Sequence, residues 1–216
     1  ISLNREQRQR MLSVAEITSV VLAAMQQHSE DTVVLEHGCF AIARLANGNS
    51  PCIEGVTAAS AVLAAMTYHV SHAKIQSNGC FALCEMSADP VNCKLIGEAN
   101  GISTVASAMH MHLTNRNVQE SGCRTLKWLA LNPDSRDVPV AISAVAMAMW
   151  NHRSSEDIQK YGCEVFAFLA RENVRWQRQV RGASAVTIIE VAKLEFPNEK
   201  FHRFANDALR ALGESV

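Results

Sequence analysis

The apolar residues of this chain recur in a helical pattern that appears four times along the sequence. In each copy, apolar residues follow one another at offsets of five, three and three positions, which keeps them on one face of an α-helix. These four apolar stripes are Val34, Cys39, Ile42 and Leu45; Ile75, Cys80, Leu83 and Met86; Val118, Cys123, Leu126 and Leu129; and Ile158, Cys163, Phe166 and Leu169. A segment rich in Ala, Val and Met precedes each stripe across a polar turn, as in "VTAASAVLAAM" and "VPVAISAVAMAM". The pattern therefore predicts pairs of packed helices.

The same register is marked by a Gly-Cys dipeptide inside each stripe, at 38–39, 79–80, 122–123 and 162–163. The spacing between successive dipeptides is 41, 43 and 40 residues. A histidine stands ten positions before every one of these glycines, at His28, His69, His112 and His152. A fifth, degenerate copy reads "KFHRFANDALRALG", with Ala205-Asn206 in place of Gly-Cys. A period near forty residues with an atypical last copy is the signature of a helical repeat protein.

A shorter and more variable segment opens each period, for example "DPVNCKLIGEANG" and "NPDSRDVP". Asp89-Pro90 and Asn132-Pro133 each fit a helix N-terminus, because Asp and Asn cap helices and Pro is tolerated at the first helical position. Each period is thus predicted to hold three helices. The chain, 1–216, is expected to form one domain of five units, approximately 4–46, 47–88, 89–131, 132–171 and 172–213.

The third period, "DPVNCKLIGEANGISTVASAMHMHLTNRNVQESGCRTLKWLA", resembles an armadillo repeat, and the other periods align with it in register. HEAT repeats are the nearest structural competitor, but the short leading helix and the glycine between the second and third helices favour armadillo. The resemblance covers almost the whole chain. It implies an all-α fold, a right-handed α-solenoid of about five armadillo-like three-helix repeats.

Armadillo proteins use their third helices to line a concave groove that binds extended peptides or partner proteins, and the resemblance implies the same here. By alignment, the groove-facing pairs are Phe40 and Arg44, Phe81 and Glu85, Arg124 and Trp128, and Glu164 and Phe168, with Asp207 and Ala211 closing the row. Exposed aromatic and Arg side chains suit a binding hot spot. The alternative is that Phe40 and Phe81 simply pack between repeats.

The sequence departs from the nuclear-import adaptors, which resemble this architecture but carry Trp followed four residues later by Asn on successive third helices. Trp128 stands in the Asn slot here. This argues against recognition of a basic localisation signal by the adaptor mechanism. The mixed series Arg44, Glu85, Arg124 and Glu164 suggests a ligand of alternating charge.

The repeated glycines, cysteines and histidines are predicted to be structural. Glycine inside a helix costs about 1 kcal/mol relative to alanine, so its return needs a compensating close approach of helices. Cysteine behaves as a small core residue, and equivalent cysteines on packed helices about 8–10 Å apart are too distant to share a zinc ion. No metal is therefore expected. The histidines are expected to donate to free carbonyls at helix ends, while a pH-sensitive ladder stays open.

Composition narrows the class of protein. A net charge of −1 over 216 residues lacks the basic excess of a nucleic-acid binder. We find neither a run of about 18 apolar residues nor a signal peptide in "ISLNREQRQR", so no membrane span is expected. The missing initiator Met suggests a fragment or processed chain. Seven cysteines without a C-x-x-C pair or glycosylation sequon favour a cytoplasmic or nuclear compartment.

These observations predict a non-catalytic interaction module or scaffold, the regulatory part of a larger protein being one option. It would need no cofactor, would bind a protein or extended peptide segment, and would be a monomer or weak oligomer. The alternative is a thiol-based redox sensor or enzyme that uses Cys80 and Cys84 with His69 or His72 nearby. No glycine-rich phosphate loop, H-E-x-x-H or G-x-S-x-G motif supports catalysis.

Overall fold

The computed structural model describes residues 5–49, 53, 55–130 and 137–215, which form twelve α-helices and no strand. The helices are α1 (Arg5–Gln27), α2 (Thr32–Ala46), α3 (Gly55–Tyr68), α4 (Ala73–Met86), α5 (Pro90–Glu98), α6 (Gly101–Met111), α7 (Arg116–Leu129), α8 (Val138–Asn151), α9 (Glu156–Glu172), α10 (Val174–Gly182), α11 (Ala185–Glu195) and α12 (Glu199–Ala211). The predicted all-α solenoid is confirmed.

The helices stack in two parallel rows. Helices α2, α4, α7, α9 and α12 each pack on the next and form what we call the third-helix row. Helices α1, α3, α6, α8 and α11 do the same and form the second-helix row. The apolar stripes lie between the rows: all their residues in α4, α7 and α9 have 0 % exposure, while Val34 and Leu45 of α2 are partly exposed.

The expected three helices occur in the third and fifth periods, whose short first helices are α5 and α10. The other periods differ from this expectation. In the first period α1 is one uninterrupted helix, because no Pro or Gly breaks the opening segment. The described residues of the second and fourth periods contain only the two longer helices, and Asn132-Pro133 lies outside the described residues.

Helix starts follow their capping residues. The predicted cap at Asp89 is confirmed: its Oδ1 accepts from the backbone N–H of Val91 and of Asn92, both at 3.0 Å, and Pro90 is the first helical residue. Asp31 and Asn115 cap α2 and α7 in the same way. Side-chain caps of this kind satisfy backbone donors that the helix itself leaves free.

The repeated glycine is explained by a methionine of the second-helix row. A Cβ placed on Gly122 would lie 2.6 Å from both Cγ and Sδ of Met109. The same overlap occurs between the glycine and methionine of the first, second and fourth units, namely Gly38 with Met25, Gly79 with Met66, and Gly162 with Met149. Because the methionine always stands three residues before the repeated histidine, one contact sets the register between the two helices of each unit.

The repeated histidines bond to the neighbouring unit. His69 Nε2 donates to the carbonyl of Ser29 at 2.9 Å, His112 Nε2 to Val70 at 2.7 Å, and His152 Nε2 to Leu113 at 2.7 Å. Each acceptor is the residue that follows the repeated histidine position of the preceding unit. The histidines therefore do donate to a backbone carbonyl, as predicted. The carbonyl belongs to the turn of the preceding unit, so the bond joins successive units.

In the second, third and fourth units, a buried glutamine satisfies carbonyls at the end of the unit's own second helix. Gln119 Nε2 donates to the carbonyls of Met109 at 2.7 Å and His112 at 2.9 Å. Gln76 and Gln159 make the equivalent pairs of bonds in their units. The histidine thus ties one unit to the next, and the glutamine ties the two helices within one unit.

We expect Gly122→Leu to lower the free energy of unfolding by about 3 kcal/mol, because the added side chain would overlap Met109 in a filled core. Urea denaturation of both chains measures the change. Gly182→Ala is the control: nothing lies within 4 Å of its Cβ, so its effect should stay within about 1 kcal/mol. If Gly122→Leu unfolds at the wild-type midpoint, the helices do not approach closely there.

We expect His112→Ala to destabilise the chain by about 1 kcal/mol, the typical net contribution of one hydrogen bond. His28→Ala is the matched control, since its side chain is exposed and has no hydrogen-bond partner among the described residues. Urea denaturation of both variants gives the comparison. Equal effects of the two substitutions would show that the bond from His112 to the Val70 carbonyl does not hold the units together.

Candidate protein-binding groove

The predicted groove residues all lie on the third-helix row, on the exposed side of their helices or at its margin. Phe40 and Arg44 of α2 are exposed. Glu85 of α4 is the exception, with only 9 % exposure. The others are half-buried: Phe81, Arg124, Trp128, Glu164 and Phe168. Contacts between neighbouring helices, described below, bring several of these side chains together over one surface, which we call the third-helix face.

Arg124 lies at the centre of this face and bridges two units. Its Nη2 donates to Glu85 Oε1 at 2.8 Å, and its guanidinium lies over the ring of Phe81, 5.8 Å from the ring centroid. The pair covers the Glu85 carboxylate almost completely. Glu85 and Arg124 therefore neutralise each other within the protein, and they do not present two separate charges to a ligand.

Three further ion pairs cross between third helices. Lys74 Nζ lies 3.2 Å from Glu36 Oε1, joining α4 to α2. Lys127 Nζ lies 3.0 Å from Glu164 Oε1, joining α7 to α9. Arg171 pairs with Asp207, joining α9 to α12. The alignment did not single out Lys127 or Arg171, since it considered only two slots per helix. Opposite charges on the same side of successive third helices were the signal that could have identified them.

Aromatic side chains run along the same face. Phe81, Trp128 and Phe168 are partly buried and pack against the core, while Phe40 is 46 % exposed. The alternative is that Phe40 and Phe81 simply pack between repeats. Phe81 does pack partly against the core, whereas Phe40 remains largely exposed. A half-buried ring is held in place by the core and still offers one face to a ligand, a combination that is common at binding hot spots.

Two more aromatic residues, missed in the alignment, belong to this face. Tyr161 and Phe204 occupy the position of the repeated glycine minus one, one helical turn before the first groove slot. Lys160 Nζ lies 5.3 Å from the ring centroid of Tyr161 and 5.1 Å from that of Phe204, so it joins α9 to α12. In the last two units, this position is therefore a third slot of the row.

Glu164 keeps one carboxylate oxygen without a partner. Its Oε1 accepts from Lys127, whereas Oε2 is buried and has no hydrogen bond with any described residue. An unsatisfied buried acceptor carries a free-energy cost until a donor reaches it. Because the oxygen is buried, a donor from outside the protein would reach it only if the Glu164 side chain moved.

A cavity of about 610 Å³ lies elsewhere, between α1 and α3 of the second-helix row. Its walls are mostly apolar and include Leu22, Ala61 and Ala64, with Tyr68 at one edge. None of the predicted groove residues lines it. The cavity has the size of a small-molecule site, and it also carries polar side chains, among them Gln26, Thr57 and Ser60.

The cysteines named for the thiol alternative are buried. Burial raises the pKa of the Cys80 thiol, and it raises the pKa of the Cys84 thiol from 9.0 to about 12. Activation of a thiol requires the opposite shift, towards the thiolate at neutral pH. His72 caps α4 through Nδ1 and stands eight residues before Cys80, about 12 Å along a helix axis. The structure does not bring these histidines to the thiols.

The other described cysteines share this environment. Burial also raises the pKa of Cys39 and Cys123 to about 12, and the pKa of Cys163 is raised for the same reason. Cys93 donates its thiol hydrogen to the Trp128 carbonyl at 3.3 Å. Over the residues that the structure describes, no cluster of three His, Cys, Asp or Glu side chains could hold a metal ion. Cys52 lies outside them.

In native chain carrying Cys52→Ser, we expect all six remaining thiols to react with Ellman's reagent at least about tenfold more slowly than in urea, because burial both shields them and disfavours the thiolate. The rate of absorbance change at pH 8 is the measurement. A thiol that reacts rapidly under native conditions and is lost in Cys84→Ser would support the redox alternative.

Known proteins share this architecture. The family model described as LRRK2 ARM repeat matches residues 2–211. A designed armadillo repeat protein, YIII(Dq.V1)4CPAF in complex with the peptide (KR)4, superposes with a TM-score of 0.75 at 17% identity, covering 97% of this chain and 87% of its own. An engineered protein, Northeast Structural Genomics Consortium target OR329, gives 0.73 at 19%, covering 98% and 92%. No curated protein matches significantly.

The structural likenesses show the fold, and the family model shows the family. The armadillo fold is commonly a protein-binding scaffold and is generally non-catalytic. None of the helices in the described part of the chain is long and apolar enough to cross a membrane. With its repeat period, its two helix rows and a match over nearly its full length, the chain belongs to the LRRK2 ARM repeat family.

Proposed function

We propose that this chain is a non-catalytic scaffold that binds an extended segment of a partner protein along the third-helix face, as the regulatory part of a larger protein. The observation that carries the proposal is the row of half-buried aromatic and charged side chains on successive third helices, centred on Arg124 and Trp128. The designed neighbour has a similar solenoid and is in complex with a peptide.

The chemistry of the face favours a segment with apolar anchors over a polybasic one. The carboxylates of Glu85, Glu164 and Asp207 are each paired with a basic side chain of the neighbouring helix. A lysine-rich or arginine-rich peptide would have to displace those partners to reach them. The rings of Phe40 and Trp128 offer apolar contact area instead.

The proposed compartment is the cytoplasm, with the nucleus as a further site. The support is chemical: all six described cysteines are free and buried, as in a protein that keeps its thiols reduced. The thiol-based alternative function has weaker support, because burial raises the pKa of Cys84 to about 12 and the chain shows no catalytic motif.

We expect Phe40→Ala combined with Trp128→Ala to weaken binding to the third-helix face by at least about tenfold, since truncation of a hot-spot aromatic commonly costs about 2 kcal/mol. The ligands are 12-residue peptides selected from a random display library against the wild-type chain, and titration calorimetry compares their affinities. Arg124 is left in place, because its removal would strand the covered carboxylate of Glu85.

Trp150→Ala is the matched control, because Trp150 is 49 % exposed on α8, in the other helix row, and stacks on Arg153. This variant should bind the selected peptides like wild type, and (KR)4 should bind the wild-type chain more weakly than they do. The proposal fails if the double variant folds and binds normally, or if Trp150→Ala alone abolishes binding.

A further inference from the structure

The N-terminal end of the solenoid, formed by α1 and α2, exposes large apolar side chains. Ile17 is 50 % exposed and Val20 70 %, while Val21 and Val34 are partly exposed. Single exposed apolar residues are ordinary, but several on one end of a stack are informative when the repeat shows what their equivalents do. Counting from the repeated histidine or glycine identifies the equivalent residue in each of the other units.

In the second-helix row, the equivalents of these α1 positions are buried. Ile17 lies eleven residues before the repeated histidine of the first unit. The residues at this position in the next three units are all buried, namely Ala58, Gly101 and Ala141. Seven residues before it, Val21 is partly exposed. The valines at that position in the next three units, Val62, Val105 and Val145, have 0 % exposure. The first unit therefore keeps apolar residues where later units pack on a predecessor.

The third-helix row shows the same difference in exposure between the first unit and the next three. Val34 is partly exposed, while its equivalents Ile75, Val118 and Ile158 have 0 % exposure. Ala41 is also partly exposed. Its equivalents in the next three units, Ala82, Thr125 and Val165, are fully buried. In the third unit this position contacts the preceding helix directly, since Thr125 Oγ1 donates to the Cys80 carbonyl at 2.7 Å.

His28 adds a polar match to the apolar one. His69, His112 and His152 each donate to a turn carbonyl of the unit before them. His28 has the same place in the repeat, is exposed and has no such carbonyl within the described part of the chain. The end of the solenoid thus presents the donor of an inter-unit bond whose acceptor is missing from these residues.

The third-helix row ends differently at its C-terminal end, because α12 is more polar than the helices before it. Asn206 stands where the other four units bury a cysteine with 0 % exposure. Arg210 is exposed where three other units bury Ala43, Cys84 or Ala167 and the third unit has the half-buried Lys127. Terminal repeats that end a solenoid characteristically have such a polar outer face. The polar residues of α12 therefore offer no complement to Val34 of α2, which argues against head-to-tail stacking of two copies.

We propose that the N-terminal end docks a further helix pair of the same repeat type. Its turn carbonyl would accept the Nε2–H of His28, and its two helices would cover Ile17, Val21 and Val34. The interface is the one that α1 and α2 themselves form with α3 and α4, continued by one unit. This surface is separate from the third-helix face, so the inference does not rest on the proposed function.

The test appends a copy of residues 89–130, which contains α5, α6 and α7, upstream of the full chain through a flexible Gly-Ser linker. This copy is suitable because its own Leu113 carbonyl already accepts from His152 in the chain. We expect amide hydrogen exchange in α1 and α2 to slow at least about tenfold relative to the unfused chain, since docking suppresses local opening. The same copy appended downstream should leave exchange in α11 and α12 unchanged.

Ile17→Asp and Val34→Asp in the upstream fusion should abolish the slowing, and His28→Ala should reduce it. In the unfused chain, Ile17→Asp should leave the unfolding midpoint nearly unchanged, whereas Ala141→Asp at the equivalent buried position should lower it clearly. This pair shows whether the Asp variants fold. Loss of slowing in folded variants then reports on docking alone.

Three results would overturn the inference. The first is equal exchange in α1 and α2 with and without the upstream copy. The second is slowing that survives Ile17→Asp and Val34→Asp. The third is a dimer of the unfused chain in sedimentation that disappears in Ile17→Asp, which would identify a second copy as the occupant.

Discussion

The close approach of a second and a third helix at each repeated glycine is the contact on which the remaining structure depends. At Gly122 the backbone lies so near Met109 that no β-carbon fits without displacing the methionine. The glycine costs about 1 kcal/mol of helix propensity, and the dense packing around it offsets that cost. Since the same pair recurs in four units, the second and third helices of these units pack in the same register. The four units can therefore stack on one another in the same way.

Stacking also requires that the turns find partners for their backbone carbonyls. The structure divides this task between two side chains. Gln119 and its equivalents bond to carbonyls within their own unit, while His112 and its equivalents bond to the turn of the unit before. Because the histidine links successive units, the bonds form a ladder along the solenoid. The ladder ends at His28, which is why the N-terminal end differs physically from the interior of the stack.

The third-helix face holds the side chains that the core and the inter-unit contacts leave accessible. Many of its charges pair across helices, as Arg124 does with Glu85 and Lys127 with Glu164. These pairs are partly shielded from water, so removal of one partner would leave a poorly solvated charge. The pairing hides most of the face's charge from a ligand and leaves the aromatic rings as its main free contact area. A partner would therefore be selected by shape and apolar contacts more than by net charge.

By itself, the sequence determined the period, the helical class and the core, because these depend on local spacing that recurs four times. The buried stripes, the cap at Asp89 and the structural role of the glycine follow from that spacing. Only the tertiary structure decided which residues meet between helices. Within one unit it showed that Met109 faces Gly122, and between units it showed that the histidines donate to a neighbouring turn and that Arg124 covers Glu85. The contacts between units join residues about forty positions apart, and their geometry depends on how the units stack, which no pattern within one helix specifies.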